Sequence, residues 1–473
     1  MSRQRLLLKA PVFLIAFCCL WMRATAPVVA DEPKPILTAL DQYIAKPDAS
    51  FSWKVVDTIR GDGFTTFVVD LKSQTWRTSD EVDRTLWEHW LVIVKPDRTQ
   101  SKTAMLFIGG GGNGGDAPKG GSDMITKLAV GTGSVVAELK NVPNQPLVFH
   151  QDGEKRVEDN LIAYSWVKLI KTGDPTWTAR MPMVKSAVRA MDAMQALLAS
   201  EAGGKHMIDG FVVAGGSKRG WTTWLTGAVD KRVVAIVPIV IDVLNVRRSM
   251  QHHHDAYGFW APSVGDYVRH KLFEMQDTPE YASLLKLEDP YSYIDRLTMP
   301  KYIVNAAGDQ FFLPDSSQFY FDDLKGEKHL RYVPNADHSL EGSDALESIM
   351  AFYNAVLIGK PRPEFSWTFV DGGGIRVSTR EKPRQVNLWQ ATNPQARDFR
   401  LETLGPQYTS RVLAPVADGE YLASVDRPEQ GWTAYFVELV FDSGFAFPFK
   451  FTTPVRVTPD TLPFKDAAAA NGK

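Results

Sequence analysis

Cysteine is almost absent from this chain of 473 residues, and the two that occur, Cys18 and Cys19, stand side by side near the N-terminus. Both lie in a segment that we predict to be removed, and the mature chain then has no thiol. That absence excludes disulfide bonds, thiol catalysis and thiolate metal sites. An excess of positive charge is absent as well, because 53 Lys and Arg residues face 55 Asp and Glu residues. The composition therefore gives no sign of a nucleic-acid partner.

The first 30 residues have the layout of a secretory signal peptide. Basic residues at positions 3, 5 and 9 precede an uncharged run, and the small-residue pattern Val28-Val29-Ala30 ends the segment. The uncharged run is shorter than the roughly 20 residues that a membrane-spanning helix needs. We predict cleavage after Ala30, no stable membrane span after that cleavage, and a periplasmic or secreted mature protein. An uncleaved anchor is the alternative that the pattern leaves open.

Between residues 31 and 361, apolar runs alternate with helical patterns. Continuous apolar runs such as 211–214 and 302–306 are typical of strands buried on both faces. The alternation predicts an α/β-hydrolase fold, with a mainly parallel sheet flanked by helices. It breaks at about 242–299, which predicts a cap insertion. From residue 362 to 473 strand-like runs follow one another with no helical pattern between them, which predicts a small C-terminal β-sandwich-like domain.

The most informative motif is Gly215-Gly216-Ser217-Lys218-Arg219-Gly220, which follows one of these predicted strands. A serine on a tight turn between a strand and a helix is held out of the chain as a nucleophile. The usual pattern is G-x-S-x-G, because strand and helix come close on both sides of the serine. Gly215 fits, but Arg219 stands at the second small position and the glycine comes one residue later. The turn can still form if the Arg219 side chain points outward.

Two later strand ends supply partners for this serine. A hydroxyl nucleophile needs a histidine to accept its proton and a carboxylate to orient that histidine. Asp309 and then His338 follow predicted strands, in the chain order that α/β-hydrolases use. We therefore predict a catalytic triad of Ser217, His338 and Asp309. Asp242, at the end of the strand before, is the alternative acid.

The oxyanion formed during acyl transfer needs N–H donors at fixed positions. The backbone N–H of Lys218 is one predicted donor, and Gly110 and Gly111, in the glycine run after position 108, are the others. That run does not continue as G-K-[ST], so it lacks the pattern of a phosphate-binding loop. This chemistry requires no cofactor.

A histidine run, His252-His253-His254-Asp255, lies within the predicted cap. No second cluster of residues has the spacing of a metal site, and we predict no metal. Two aromatic residues that follow, Tyr257 and Trp260, are candidate substrate-binding residues that wall a cleft. The alternative for both is packing of the cap onto the sheet.

The chain resembles the PhoPQ-activated pathogenicity-related protein family. The resemblance is carried by the string from Gly215 to Trp224, by Arg180-Met181-Pro182-Met183 and by the cap segment from His253 to Gly258. It implies an α/β-hydrolase-type fold in a secreted or periplasmic protein, with a family name that reflects regulation by a two-component system linked to virulence. It implies no substrate. The turn is also similar, over a few residues, to that of glucuronoyl esterases, which act on sugar-acid esters.

Two functions are open at this point. The first is an exported serine hydrolase that acts on an ester or amide of a small molecule, peptide or carbohydrate. The second is a secreted binding or signalling protein that keeps the scaffold without turnover, an alternative that the bulky Arg219 leaves open. Lys218 and Arg219 either favour an anionic substrate or lie solvated on the helix surface. The sequence does not indicate the oligomeric state.

Overall fold

Continuous apolar runs form the strands at the centre of this protein. The computed structural model describes residues 37–99 and 101–465. The strands are β1 (Ser52–Arg60), β2 (Phe64–Thr75), β3 (Leu86–Pro96), β4 (Thr103–Ile108), β5 (Val136–Leu139), β6 (Gly210–Gly216), β7 (Val233–Ile239), β8 (Lys301–Ala306), β9 (Lys328–Val333), β10 (Phe365–Val370), β11 (Gly374–Thr379), β12 (Gln385–Asn393), β13 (Thr409–Val412), β14 (Pro415–Ala417), β15 (Glu420–Ser424), β16 (Trp432–Phe441), β17 (Phe449–Thr452) and β18 (Arg456–Thr458). The α-helices are α1 (Ala39–Ala45), α2 (Asp123–Thr132), α3 (Glu158–Thr172), α4 (Arg180–Ala199), α5 (Lys218–Val229), α6 (Val246–Tyr257), α7 (Gly265–Arg269), α8 (Pro279–Glu288), α9 (Ala345–Leu357) and α10 (Leu401–Leu404).

Within the described residues, six neighbouring strands run parallel. The order across the sheet is β1-β2-β3-β5-β4-β6-β7-β8-β9-β17-β16-β12-β13, and the pairs from β5 to β9 are the parallel ones. Strands β6 and β8 are buried almost throughout, since α4 and α5 cover one face and α2 and α9 cover the other. This arrangement confirms the predicted α/β-hydrolase fold.

A helical insertion separates β7 from β8. Residues 240–300, all of them described, contain α6, α7, α8 and short 3-10 turns but no strand. Helix α3 of the main body contacts both α7 and α8. The insertion begins at the carboxyl end of β7, next to the end of β6 that carries the nucleophile motif, and it forms the predicted cap.

The C-terminal β-rich region continues the main sheet. Strand β17 pairs antiparallel with β9 through Thr452 and Leu330, and β16, β12 and β13 extend the sheet further. A second sheet, β10-β11-β15-β14, packs against this extension through apolar residues that include Val377 and Leu439. The region is therefore sandwich-like, but one of its two layers belongs to the same sheet as the hydrolase core.

None of the helices in residues 37–99 and 101–465 is long and apolar enough to cross a membrane. The leader that the sequence predicts, residues 1–30, lies outside the described residues.

Candidate active site

Ser217 occupies a strained turn between β6 and α5. Its backbone has φ 57° and ψ −126°, a left-handed conformation that costs a non-glycine residue free energy and is typical of nucleophile elbows. The Ser217 N–H donates to the carbonyl of Ile239 at 2.8 Å, which ties the turn to β7. A Cβ at Gly215 would lie 2.7 Å from the Arg219 carbonyl oxygen, and one at Gly220 would lie 2.9 Å from the Gly215 oxygen. Gly220 therefore supplies the second small residue of the turn.

The side chain of Arg219 points away from the strand. Its Nη1 and Nη2 donate to the two carboxylate oxygens of Glu158 at 2.8 and 2.6 Å, and its Nε donates to the Val142 carbonyl at 2.6 Å. The carbonyl group and the Cβ of Arg219 are the parts of this residue that come close to Gly215. The turn thus accommodates a large residue because its guanidinium binds Glu158 at the start of α3 and the Val142 carbonyl.

Lys218 is also paired inside the protein. Its Nζ lies 2.8 Å from Glu158 Oε2 and 3.4 Å from Asp159 Oδ2, and its side chain is 8% exposed. Burial raises the pKa of Glu158, but the hydrogen bonds and charges of Arg219 and Lys218 outweigh it and lower that pKa to about 2. Glu158 is therefore ionised at neutral pH and neutralises much of the positive charge beside Ser217.

Asp309 and His338 form a hydrogen-bonded pair at the ends of β8 and β9. His338 Nδ1 lies 2.8 and 3.0 Å from the two oxygens of Asp309, which also accepts the Phe311 N–H at 2.7 Å. A carboxylate only accepts, so Nδ1 carries a proton, and in the neutral ring Nε2 is the nitrogen that can accept one. That Nε2 is buried and has no hydrogen-bond partner among the described residues. The ring of Phe311 lies 4.4 Å from the imidazole and restricts its orientation.

Ser217 and His338 border the same cavity, which has a volume of about 330 Å³. No hydrogen bond joins Ser217 to His338 Nε2 in the part of the chain that the structure describes. Catalytic hydrogen bonds are often long in a free enzyme and shorten only with substrate bound. The arrangement therefore brings a serine on a strained turn and an oriented imidazole to one space.

Asp242, the alternative acid, is held by two tyrosines. The hydroxyls of Tyr320 and Tyr332 donate to its two oxygens, each at 2.6 Å. Burial raises the pKa of Asp242 to about 7, against the hydrogen bonds from the tyrosines. The structure brings Asp309, and not Asp242, into contact with His338.

The glycine run lies beside the serine turn. Ile108 of β4 is opposite Gly215 of β6, so the chain after Ile108 continues along the turn. Within the described residues, the N–H groups of Gly110, Gly111 and Lys218 have no protein acceptor. A Cβ at Gly110 would lie 2.8 Å from Arg219 Nη2, which accounts for glycine there. The predicted donors are thus on neighbouring segments, and none of the three is engaged.

Neither Tyr257 nor Trp260 borders a cavity next to Ser217. Tyr257 is buried and stacks on Phe259, and Trp260 stacks on Phe273 with ring centroids 3.8 Å apart. Both rings contribute to packing of the cap. The aromatic residues that line the cap-side cavity together with Ser217 are Trp166, Trp221, Tyr267, Phe273, Tyr281, Phe311 and Phe312. Phe311 and Phe312 come two and three residues after Asp309, and this position next to the predicted acid is a sequence signal that could have indicated them.

The histidine run has structural partners. His252 Nε2 lies 3.0 Å from Asp315, and His253 Nε2 accepts the Ala261 N–H at 3.1 Å. Burial lowers the pKa of His253 to about 3, so this ring is neutral. Among the described residues, no group of three or more His, Cys, Asp or Glu side chains is placed to hold a metal ion.

The strand order, the serine turn and the paired histidine define a protein on the α/β-hydrolase scaffold. The chain belongs to the PhoPQ-activated pathogenicity-related protein family, whose model matches residues 40–400.

Similar proteins are found in several organisms. The autocrine proliferation repressor protein A of Dictyostelium discoideum is 36% identical over 467 residues, which cover 92% of this chain and 93% of that protein. Among solved structures, the acetyl xylan esterase of Paenibacillus sp. R4 is 17% identical and covers 67% of this chain and 91% of its own, with a TM-score of 0.47. Acetyl xylan esterase 1 of Thermoanaerobacterium sp. JW/SL YS485 is 15% identical and covers 67% and 93%, with a TM-score of 0.46.

Proposed function

We propose that this protein is an exported serine hydrolase that cleaves an ester or amide. The observation that carries the proposal is the His338–Asp309 pair: Nε2 of this imidazole has no hydrogen-bond partner among the described residues, and His338 borders the same cavity as Ser217 on its strained turn. Asp309 orients the imidazole through Nδ1 and leaves Nε2 free, which is the arrangement that a general base requires. The leader pattern at residues 1–30 supports export, and we propose a periplasmic or secreted location.

In the proposed mechanism, Ser217 Oγ attacks the substrate carbonyl while its proton passes to His338 Nε2. Asp309 holds the imidazole in the tautomer that can accept this proton and stabilises the imidazolium. The N–H groups of Lys218 and of Gly110 or Gly111 donate to the oxyanion. When the carbonyl re-forms, the leaving group departs with the proton from His338. Water, activated by the same histidine, then releases the acyl group from Ser217.

The nucleophile is tested by labelling with a fluorophosphonate probe. We expect the wild-type protein to be labelled and Ser217→Ala to show no labelling, because the probe bonds to an activated serine. Ser339→Ala is the matched control, since Ser339 is an exposed serine next to His338. Equal labelling of wild type and Ser217→Ala would rule out Ser217 as the nucleophile.

A second candidate function is a secreted binding or signalling protein without turnover. It is favoured by the name of the Dictyostelium relative, a proliferation repressor, and by the missing hydrogen bond between Ser217 and His338. A panel of short-chain esters, aminoacyl amides and uronate esters separates the two functions. Hydrolysis that disappears in both Ser217→Ala and His338→Ala eliminates the pure binding protein, whereas a wild type inactive on the whole panel and unlabelled by the probe favours it.

A further inference from the structure

A second cavity borders Ser217 on the side of the cap. It has a volume of about 50 Å³ and does not include His338. Its floor is the start of α5, and its walls come from the cap and from the segments after β7 and β8. The apolar residues of these walls include Val243, Met250, Leu272, Phe273 and Phe312.

Charged side chains that reach this cavity are paired with one another. Lys218 pairs with Asp159, which also accepts the hydroxyl of Tyr267 at 3.2 Å. Arg180 pairs with Glu288, and both side chains are buried. Lys218, Asp159 and Arg180 each have a partner of opposite charge, although Arg180 Nη2 has no hydrogen-bond acceptor among the described residues. Most of the remaining surface of the cavity is apolar.

The two cavities beside Ser217 suit the two halves of a substrate. In acyl transfer the histidine gives its proton to the leaving group, so the leaving group must lie on the side of His338. Of the two cavities, the one of about 330 Å³ is bordered by His338. The acyl group stays bonded to Ser217 until water arrives, and the cap-side cavity is the other space that Ser217 borders.

We propose that the cap-side cavity is an acyl pocket and that the substrates carry a short apolar acyl group. The inference rests on the proposed hydrolase function. A cavity that holds a benzene ring measures about 150 Å³, and a water-sized group needs at least ~10–15 Å³. A volume of about 50 Å³ therefore admits an acyl chain of roughly two to four carbons. The larger cavity receives the alcohol or amine half.

The test is a chain-length series of p-nitrophenyl esters from acetate to octanoate. For the wild type we expect kcat/KM on acetate or butyrate to exceed that on octanoate by about 100-fold, since excess methylenes find no room. Phe273→Ala enlarges the pocket and should shift the optimum to longer chains. Val243→Leu reduces it and should lower butyrate hydrolysis more than acetate hydrolysis. Val268→Ala, on the exposed side of cap helix α7, is the matched control and should leave the profile unchanged.

Fluorophosphonate labelling of Ser217, measured on the same samples, separates the failure of the pocket from the failure of the function. With labelling intact, equal rates on acetate and octanoate overturn the acyl pocket. With labelling intact, the acyl pocket is also overturned if the folded variants Phe273→Ala and Val243→Leu keep the chain-length profile of the wild type. It is overturned as well if the labelled wild type hydrolyses none of the esters. A wild type without labelling overturns both proposals. If Phe273→Ala does not fold, Val243→Leu still tests the pocket, because it removes no core volume.

Discussion

The carboxyl ends of β7 and β8 carry two aspartates that look alike in sequence and differ in their partners. Asp242 and Asp309 both follow buried parallel strands and are 3% and 4% exposed. Asp309 contacts the imidazole of His338, whereas Asp242 lies between the hydroxyls of Tyr320 and Tyr332. A position at this edge of the sheet therefore brings an aspartate near the site, but its hydrogen-bond partner decides whether it can orient a histidine.

The largest effect should come from Asp309→Asn. An asparagine cannot stabilise the imidazolium and favours the wrong tautomer of His338, so we expect kcat to fall by about 10,000-fold. The measurement is steady-state hydrolysis of the best ester, with circular dichroism to check folding. Asp242→Asn, on the neighbouring strand, is the comparison and should lose less than about tenfold, because Asp242 does not contact the histidine. A larger loss of kcat in Asp242→Asn than in Asp309→Asn would identify Asp242 as the acid.

A third acidic residue, Glu158, is also a carboxylate at neutral pH. It contacts the residues that follow Ser217 and not His338. It pairs with Lys218 and Arg219 and accepts from Gln145 Nε2 at 2.5 Å, and Gln145 also donates to the carbonyl of Gly111 at 2.9 Å. One hydrogen-bonded chain thus links the serine turn to the glycine run, the two segments that carry the proposed oxyanion donors.

Glu158→Gln should therefore lower kcat by roughly 10- to 100-fold and change KM little, because the chain acts on the transition state and not on substrate binding. Glu154→Gln is the matched control, because Glu154 lies in the loop just before α3 and its side chain is 42% exposed. A rise in KM with unchanged kcat would place Glu158 in substrate binding and contradict its role as a positioning residue.

The sequence could predict those parts of the site that depend on the pattern of neighbouring residues along the chain. Asp309 and His338 follow apolar runs, and strand ends in a parallel sheet meet at one edge, so their proximity could be expected. The direction of the Arg219 side chain could not, because its partner Glu158 lies 61 residues earlier. The tyrosines that hold Asp242 lie 78 and 90 residues after it.

The same limit applies to packing in the cap and the C-terminal region. Tyr257 and Trp260 were predicted from composition, and composition does not distinguish a ring that walls a cavity from one that stacks on a neighbour such as Phe273. The C-terminal strands were expected from their residue pattern, but the pairing of β17 with β9 depends on a contact between Thr452 and Leu330 that no local pattern encodes.

The smallest effect on activity, and a distinct effect on stability, is expected at Asp242. Burial raises its pKa from 3.8 to about 7 in the folded protein. In the unfolded chain the carboxyl ionises near pH 4, so between pH 4 and 7 the folded state binds more protons than the unfolded state. The contribution of this group to stability is therefore fully present below pH 4 and is lost as pH rises to about 7. The loss amounts to roughly 4 kcal/mol.

Urea unfolding of the wild type and of Asp242→Asn from pH 4 to pH 8 isolates this contribution. An asparagine stays neutral, so the free energy of unfolding of the variant should fall less than that of the wild type over this range. Asp209→Asn, at an exposed aspartate, should follow the wild-type curve. Parallel curves for wild type and Asp242→Asn would mean that Asp242 is already ionised in the folded state.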